Sequence, residues 1–357
     1  MVDALRQQQR QQGGVFDQAP VPQSFGNDGL ALAAAAAGCA LVDRSHWGVL
    51  SLTGGDRHRF LHNQTTQSFN QRPPGTGADT VFVTATARTL DLVTAYVTEV
   101  ALILLTSPGQ DEALMVWMDR YIFPADQVRL ENLSGQTLAF TLVGPTSGAV
   151  LAQLGVDPQP TAMDGDHRLV QATVGECRLA VGTGLGLPGY TLLAPAAIAA
   201  PLWTQLCQAG AVPAGEQVWD QWRVQQGRPA PEKELGADYN PLEAGLWQTI
   251  SFDKGCYIGQ ETIARLNTYQ GVKQQLWGLR LSAPVACGSP LTLAGERVGV
   301  VTSVVDGPEG AIGLGYVRTN AGGAGLVVQA DDATVQLIDC PFLSRGYLTP
   351  IQEDASQ

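Results

Sequence analysis

The chain has 357 residues, enough for two or three domains of ordinary size. Apolar residues make up 45% and charged residues 15%, so the chain can bury a core and does not belong to the disordered class of proteins. Acidic residues outnumber basic ones by 33 to 21, and the net charge of -12 argues against extensive nucleic-acid binding.

The cysteines and histidines argue against a metal site. The six cysteines are scattered and form no Cys-x-x-Cys pair, so they offer neither a zinc site nor an iron–sulfur ligand set. His58 and His62 lie four residues apart, but only Asp56 stands nearby as a carboxylate ligand. We therefore expect no bound metal, and we expect a reducing, cytoplasmic location because a chain of this length does not need disulfides.

The alanine-rich run over residues 30–40 is the most membrane-like segment. It is shorter than the roughly 18 residues of a membrane span, and the arginines before it are too distant for a secretory signal. A helix capped by Asn27 or Asp28 explains the run better. We expect a monomer that does not bind membranes.

The first three quarters of the chain mix helix and strand patterns. Residues 1–27 begin with a glutamine- and arginine-rich run, and we expect this segment to be flexible. Helices are predicted over 30–38, 57–63, 110–122, 147–154 and 197–209. Strands are predicted over 39–43, 48–53, 80–85, 91–98, 100–106, 138–143 and 179–181. The strand–helix–strand–strand–helix order occurs twice, which predicts an α+β region over 28–271 with two ferredoxin-like modules.

The pattern changes after Gly271. Short strand candidates separated by glycine, proline and aspartate lie at 275–281, 291–293, 297–305, 311–317, 326–329 and 335–338. Regular strand spacing without a helix signal predicts a small antiparallel β-barrel, and we assign it residues 272–357.

One segment concentrates reactive side chains. Residues 254–265 carry an ammonium, a thiol, a phenol, an amide, a carboxylate and a guanidinium group. A lysine and a helix N-terminus both lower the pKa of a neighbouring thiol, so Cys256 is the best candidate for a functional thiol. The alternative is a small buried hydrophobe, because no histidine is close in sequence to act as its base.

The run Lys-Gly-Cys-Tyr-x-Gly-Gln-Glu at 254–261, followed by Ala264-Arg265, resembles the signature of the YgfZ family of folate-binding proteins. These proteins are related to the glycine-cleavage T-protein, an aminomethyltransferase, and they assist iron–sulfur enzymes. Weaker similarities extend the resemblance to about residues 28–340. It implies two ferredoxin-like modules and a C-terminal barrel around a central hole that binds tetrahydrofolate, with the chain crossing between the modules more than once.

Departures from the T-protein pattern distinguish the branches of this superfamily. Active T-proteins carry an aspartate beside the reacting folate nitrogen; here Leu92 takes that position and Asp91 comes one residue early. In a strand, a shift of one residue turns a side chain to the opposite face. Gln225 replaces the glutamate that holds the pterin ring, which removes a charge-assisted hydrogen bond. Both changes favour folate binding without aminomethyl transfer.

The resemblance implies an accessory protein that binds tetrahydrofolate or a one-carbon derivative and supports the assembly or repair of iron–sulfur clusters. Its partners would be iron–sulfur proteins or assembly factors, with Cys256 as the functional thiol. The candidate folate-pocket residues are Lys254, Tyr257, Gln260, Glu261, Arg265, Arg223, Gln225, Glu243, Asn63 and Gln64. Two alternatives are a true folate-dependent aminomethyltransferase and a scaffold protein that has lost folate.

Overall fold

The structure is a computed structural model that describes residues 2–158, 162–307 and 310–346. It begins with two helices and one strand. They are α1 (Val2–Gln11), α2 (Asp28–Ala37) and β1 (Ala40–Asp43). Helix α1 lies within the segment 1–27 that the sequence predicted to be flexible, and it packs against the rest of the chain. Leu5 is fully buried, and Arg6 and Gln9 both donate hydrogen bonds to the Asp43 carboxylate. One buried leucine in a polar run gives little hydrophobic signal, and its partners lie far away in sequence.

The first module is a five-stranded antiparallel sheet with two helices. Its elements are β2 (Trp47–Thr53), α3 (Arg57–Gln64), β3 (Gly77–Val83), β4 (Thr89–Val97), β5 (Ala101–Pro108), α4 (Asp111–Asp119) and β6 (Arg129–Asn132). The strand order is β3-β4-β5-β2-β6. Leu50, Leu52 and Leu104 pack with Phe60 and Leu114 on the face that the helices cover.

The second module is a six-stranded sheet. Its further elements are β7 (Thr137–Val143), α5 (Ser147–Gln153), β8 (His167–Ala172), β9 (Gly175–Val181), β10 (Gly189–Pro195), α6 (Ala196–Gln208) and β11 (Val212–Ala214). The order is β11-β1-β7-β10-β9-β8, so β1 belongs here although it precedes the first module. The chain therefore crosses between the modules twice, as the resemblance implied. The sequence patterns did not predict β6, β8, β10 or β11.

Two helices connect the modules to the barrel, namely α7 (Glu216–Gln226) and α8 (Gln260–Thr268), with a 3-10 turn at Trp247–Thr249 between them. The barrel strands are β12 (Gln274–Leu281), β13 (Pro290–Leu293), β14 (Glu296–Gly307), β15 (Gly310–Arg318), β16 (Val327–Ala330) and β17 (Ala333–Ile338). They close in the order β12-β15-β14-β13-β16-β17, which confirms the predicted antiparallel barrel. Residues 347–357, assigned to it from the sequence, lie outside the described residues. No described helix is both long and apolar enough to cross a bilayer.

Leu92 and Asp91, two residues that depart from the T-protein pattern, lie on opposite faces of β4. Leu92 packs with Val81 and Leu246 on one face. Asp91 is on the opposite side and is fully buried; its Oδ2 accepts a hydrogen bond from the Ser107 backbone N–H at 2.9 Å. Burial raises the pKa of Asp91 to about 6. The carboxylate therefore belongs to the interior of the first module, as the argument from strand alternation predicted.

The variant Asp91→Asn tests this burial. A carboxyl group with a raised pKa stabilises the fold below its ordinary pKa of 3.8, and this contribution is lost as the pH rises through about 6. The free energy of unfolding of Asp91→Asn, relative to wild type, should therefore increase between pH 4.5 and pH 8, by about 2 kcal/mol. Urea denaturation measures it, with the exposed Asp119→Asn as control. A difference that does not change with pH would contradict the assignment.

Candidate functional site

The signature segment lies between the 3-10 turn and α8, packed against the first module. The Ile258 N–H donates to the Asn63 carbonyl oxygen at 3.0 Å, and the Ser251 N–H donates to the Thr66 carbonyl oxygen at 3.0 Å. Gly259 has a φ of +80°, and a Cβ atom there would lie 2.8 Å from the Thr84 carbonyl oxygen. This contact leaves no room for a side chain, so Gly259 lets α8 begin against the turn between β3 and β4.

Lys254 is buried at the end of α3. Its ammonium group donates to the carbonyl oxygens of His62, Thr65 and Gln67, the last two at 2.6 and 2.8 Å. Burial lowers the pKa of Lys254 to about 7, and Nζ lies 4.5 Å from the centroid of the Tyr257 ring. His62 lies in the last turn of α3, where carbonyl groups have no helical partner, and Thr65 and Gln67 follow the end of the helix; Lys254 therefore caps α3 and links the signature to it.

Cys256 and Tyr257 face opposite environments. The Cys256 thiol is free and exposed. Tyr257 is buried in a cluster with Trp247, Ile250 and Ile263, and burial raises the pKa of its phenol. The structure thus leaves Cys256 accessible to a second protein, while it places Tyr257 in the core.

The other signature residues and their neighbours make few side-chain contacts. The Gln260 amide donates to the Lys254 carbonyl oxygen at a long 3.4 Å, and Glu261 and Arg265 are exposed on α8. The Asn63 side chain is exposed, whereas Gln64 is buried and its Oε1 has no partner among the described residues. These residues therefore do not form the shared folate pocket that the sequence predicted.

The remaining candidates lie in three separate places. Arg223 is buried and forms an ion pair with Glu234 at 3.0 Å, and its Nη2 also donates to the Ser303 hydroxyl at 2.9 Å. Gln225 lines a cleft between α7 and the barrel. Glu243 accepts a hydrogen bond from the Asn240 N–H at 3.1 Å and lines a groove at the barrel, and burial raises its pKa.

A different set of residues lines a central cavity of about 320 Å³ between the two modules and the chain after the barrel. Strands β3 and β4 contribute one wall, the glycine-rich loop between β9 and β10 contributes another, and Arg44 extends from the end of β1. The lining residues are Arg44, Gln67, Ala78, Asp79, Thr94, Tyr96, Leu105, Asp164, Gly165, Val181, Gly182, Gly184, Gly186, Thr191, Gln248, Pro341 and Phe342.

None of the ten predicted folate-pocket residues lines this cavity, although all ten lie in the described part of the chain. Sequence reasoning missed the residues that do. Asp79, Thr94 and Tyr96 share one face of β3 and β4, and the register pairs Asp79 with Thr94. In the sequence, these residues could have been found from the alternation of polar and apolar residues within the two strands, which indicates a solvated face.

Asp79 and Asp164 give the cavity an acidic side. The Thr94 hydroxyl donates to Asp79 Oδ1 at 2.6 Å, which fixes that carboxylate on the wall. Desolvation raises the pKa of Asp164, and the negative charge of Asp79 adds to this effect. Within the described ranges, no group of three or more His, Cys, Asp or Glu side chains could hold a metal ion.

Replacing Lys254 tests its role as a cap. We expect Lys254→Met to lower the free energy of unfolding by about 3 kcal/mol, because it leaves several carbonyl oxygens at the end of α3 without their charged donor. Urea denaturation checks this, and Lys273→Met removes an exposed lysine as the matched control. Equal stability of the two variants would show that the cap contributes little.

Most of the chain is similar in sequence to a known protein family. The sequence model of the GCVT N-terminal domain matches residues 15–254. A chloroplastic protein of Arabidopsis thaliana, whose name assigns it provisionally to the transferases, is 41% identical over 338 residues, which cover 94% of this chain and 78% of that protein. An aminomethyltransferase of Rubrobacter xylanophilus is 28% identical over 313 residues, which cover 85% of this chain and 83% of that protein.

The fold also matches a solved structure. The crystal structure of the glycine cleavage system aminomethyltransferase T from Bartonella henselae aligns with a TM-score of 0.85 at 20% identity, covering 97% of this chain and 99% of that one. This match confirms the predicted α+β architecture of the T-protein fold. Together with the extent of the sequence match, it shows that the chain belongs to the family of the GCVT N-terminal domain.

Proposed function

We propose that this protein binds tetrahydrofolate or a one-carbon derivative in the central cavity. The observation that carries the proposal is the Asp79 carboxylate, held by Thr94 on the cavity wall. A pterin ring presents an amino group and ring N–H groups along one edge, and a carboxylate is a strong acceptor for them. Tyr96 and Phe342 line the same cavity as aromatic neighbours, and its volume is within the range of small-molecule sites, about 300 to 1,000 Å³.

The apolar surroundings of Leu92 favour binding without aminomethyl transfer. Leu92 is fully buried beside Val81 and Leu246, so no carboxylate is available at the position that resembles the transferase aspartate. Asp91 is held on the other side of β4 by Ser107. The alternative, a true aminomethyltransferase, draws its support from the names of the relatives.

An accessory role for iron–sulfur proteins is the second part of the proposal. Its support is the resemblance of residues 254–265 to the YgfZ signature, together with the exposed thiol of Cys256. An exposed thiol can reach a client protein or an assembly factor, whereas a buried one cannot. The cytoplasmic location remains a prediction, because the Arabidopsis relative is chloroplastic.

Titration with tetrahydrofolate by calorimetry tests the first part. We expect one-to-one binding, and we expect Asp79→Asn to weaken it by about tenfold or more because a charge-assisted hydrogen bond is lost. The exposed Asp119→Asn serves as control and should bind as wild type does. No binding at two temperatures would overturn the folate proposal and favour the scaffold alternative.

The role of the thiol is tested in cells that lack this protein. Cys256→Ala should bind tetrahydrofolate normally but fail to restore the activity of a reporter iron–sulfur enzyme. Cys287→Ala, which removes the exposed cysteine near the barrel strand β13, should restore that activity fully. If Cys256→Ala restores the enzyme as well as wild type does, Cys256 is not the functional thiol.

A further inference from the structure

Two buried arginines, Arg44 in the wall of the central cavity and Arg228 beside Arg44, have no carboxylate within ion-pair distance among the described residues. Arg44 is 2% exposed and Arg228 is 3% exposed. Among the described residues, neither forms an ion pair with a carboxylate, whereas the buried Arg223 does. Burying an unpaired cation is costly, and a folded protein usually supplies a counter-charge. Asp79 acts electrostatically on both arginines, Asp91 on Arg228 and Glu216 on Arg44, but among the described residues no carboxylate reaches either guanidinium group directly, so both can still bind an anion.

Among the described residues, Arg44 donates hydrogen bonds to neutral groups. Its Nη1 donates to the Thr141 hydroxyl at 3.1 Å and to the Thr183 carbonyl oxygen at 3.2 Å, while Nε is buried without a partner among the described residues. The guanidinium carbon lies 3.6 Å from the centroid of the Trp47 ring and 4.6 Å from that of Trp219. The group is therefore rigidly oriented but still has hydrogen-bonding capacity.

Arg228 approaches the same place from the segment after α7. Its Nη1 donates to the Gly184 carbonyl oxygen at 3.0 Å, and its guanidinium carbon lies 5.4 Å from the centroid of Trp47 and 5.5 Å from that of Phe342. Trp47 thus contacts both arginines, and Phe342 connects Arg228 to the lining of the cavity.

The two guanidinium groups converge on Gly184 in the glycine-rich loop. A Cβ atom at Gly184 would lie 3.8 Å from Nη1 of Arg44 and 3.8 Å from Nη1 of Arg228, with no other heavy atom within 4 Å. The loop therefore leaves a small gap bounded by two positive charges. Gly184 and Arg44 both line the central cavity, so a ligand in the cavity can reach this gap.

We propose that Arg44 and Arg228 form an anion subsite at Gly184 that binds a carboxylate of the ligand in the central cavity. Planar guanidinium groups with several N–H donors match the geometry of a carboxylate. This inference rests on the proposed function, since tetrahydrofolate carries carboxylates on its glutamyl end. It assigns that end of the ligand to the arginines and leaves the pterin ring to the acidic wall at Asp79.

Three probes separate the subsite from the folate site as a whole. They are tetrahydrofolate, 6-methyltetrahydropterin, which lacks the glutamyl end, and para-aminobenzoylglutamate, which lacks the pterin. We expect calorimetry to show that tetrahydrofolate binds at least tenfold more tightly than the pterin alone, and that para-aminobenzoylglutamate competes with it. The affinity of para-aminobenzoylglutamate should fall as salt rises.

Filling the gap tests the same subsite without removing a charge. Gly184→Ala places a methyl group between the guanidinium groups, and it should weaken tetrahydrofolate binding about tenfold or more while leaving the affinity for the pterin within twofold of wild type. Gly135→Ala is the matched control, because Gly135 has nearly the same φ, +77° against +74°, and nothing within 4 Å of a Cβ atom. It should carry the same backbone strain without an effect on binding.

A second pair of variants distinguishes an effect on ligand binding from an effect on folding. Arg44→Met should weaken tetrahydrofolate and para-aminobenzoylglutamate but not the pterin, and it should melt within a few degrees of the control. Arg345→Met removes an arginine that likewise stacks on a tryptophan, 3.7 Å from the Trp277 centroid, and donates to a carbonyl group, but lies at the barrel. An arginine with a purely structural role would lower the melting temperature and affect all three probes equally.

The outcomes distinguish the inference from the proposal beneath it. If the pterin binds as tightly as tetrahydrofolate and para-aminobenzoylglutamate does not bind, the folate site stands and the anion subsite is overturned. If tetrahydrofolate and the pterin both fail to bind, the proposed function fails and this inference fails with it. Loss of pterin binding in Arg44→Met, with normal folding, would place the arginine at the pterin end and also overturn the assignment.

Discussion

The ion pair between Arg223 and Glu234 joins α7 and the segment after it to the barrel. Glu234 is fully buried, and its carboxylate accepts hydrogen bonds from Arg223, the Ala230 N–H and the hydroxyls of Thr302 and Ser303. These partners belong to α7, the segment after it and barrel strand β14. Because a buried charge must keep its partners, the pair fixes the barrel against α7. The segment it fixes also carries Arg228 toward the central cavity.

The need of buried polar groups for hydrogen-bond partners also explains the conformation of the signature segment. Lys254 gives up its three donors to carbonyl groups at the end of α3, and Tyr257 packs in the core, so much of the signature maintains structure. The exposed Cys256 is the exception in this segment. The signature segment thus combines one accessible thiol with buried side chains that hold the surrounding loop in place.

The central cavity brings opposite charges to one small space. Aspartates on the first module and the loop before β8 face a buried arginine from the end of β1. Such a cavity favours a ligand that has both hydrogen-bond donors and an anionic group. Leu92 does not line this cavity but is buried beside Val81 and Leu246, at the position that resembles the transferase aspartate.

Sequence by itself determined the barrel strands, the mixed α+β class and the signature, because alternation and turn residues act over a few neighbours and motifs are contiguous. Only the tertiary structure decided the site. Arg44, Gly184 and Arg228 lie far apart in the chain, and Arg44 meets Gly184 because β1 joins the second sheet beside β7. Likewise α1 is ordered because Leu5 and Arg6 find distant partners. Burial and charge pairing depend on contacts between remote segments, and local sequence patterns do not encode which segments meet.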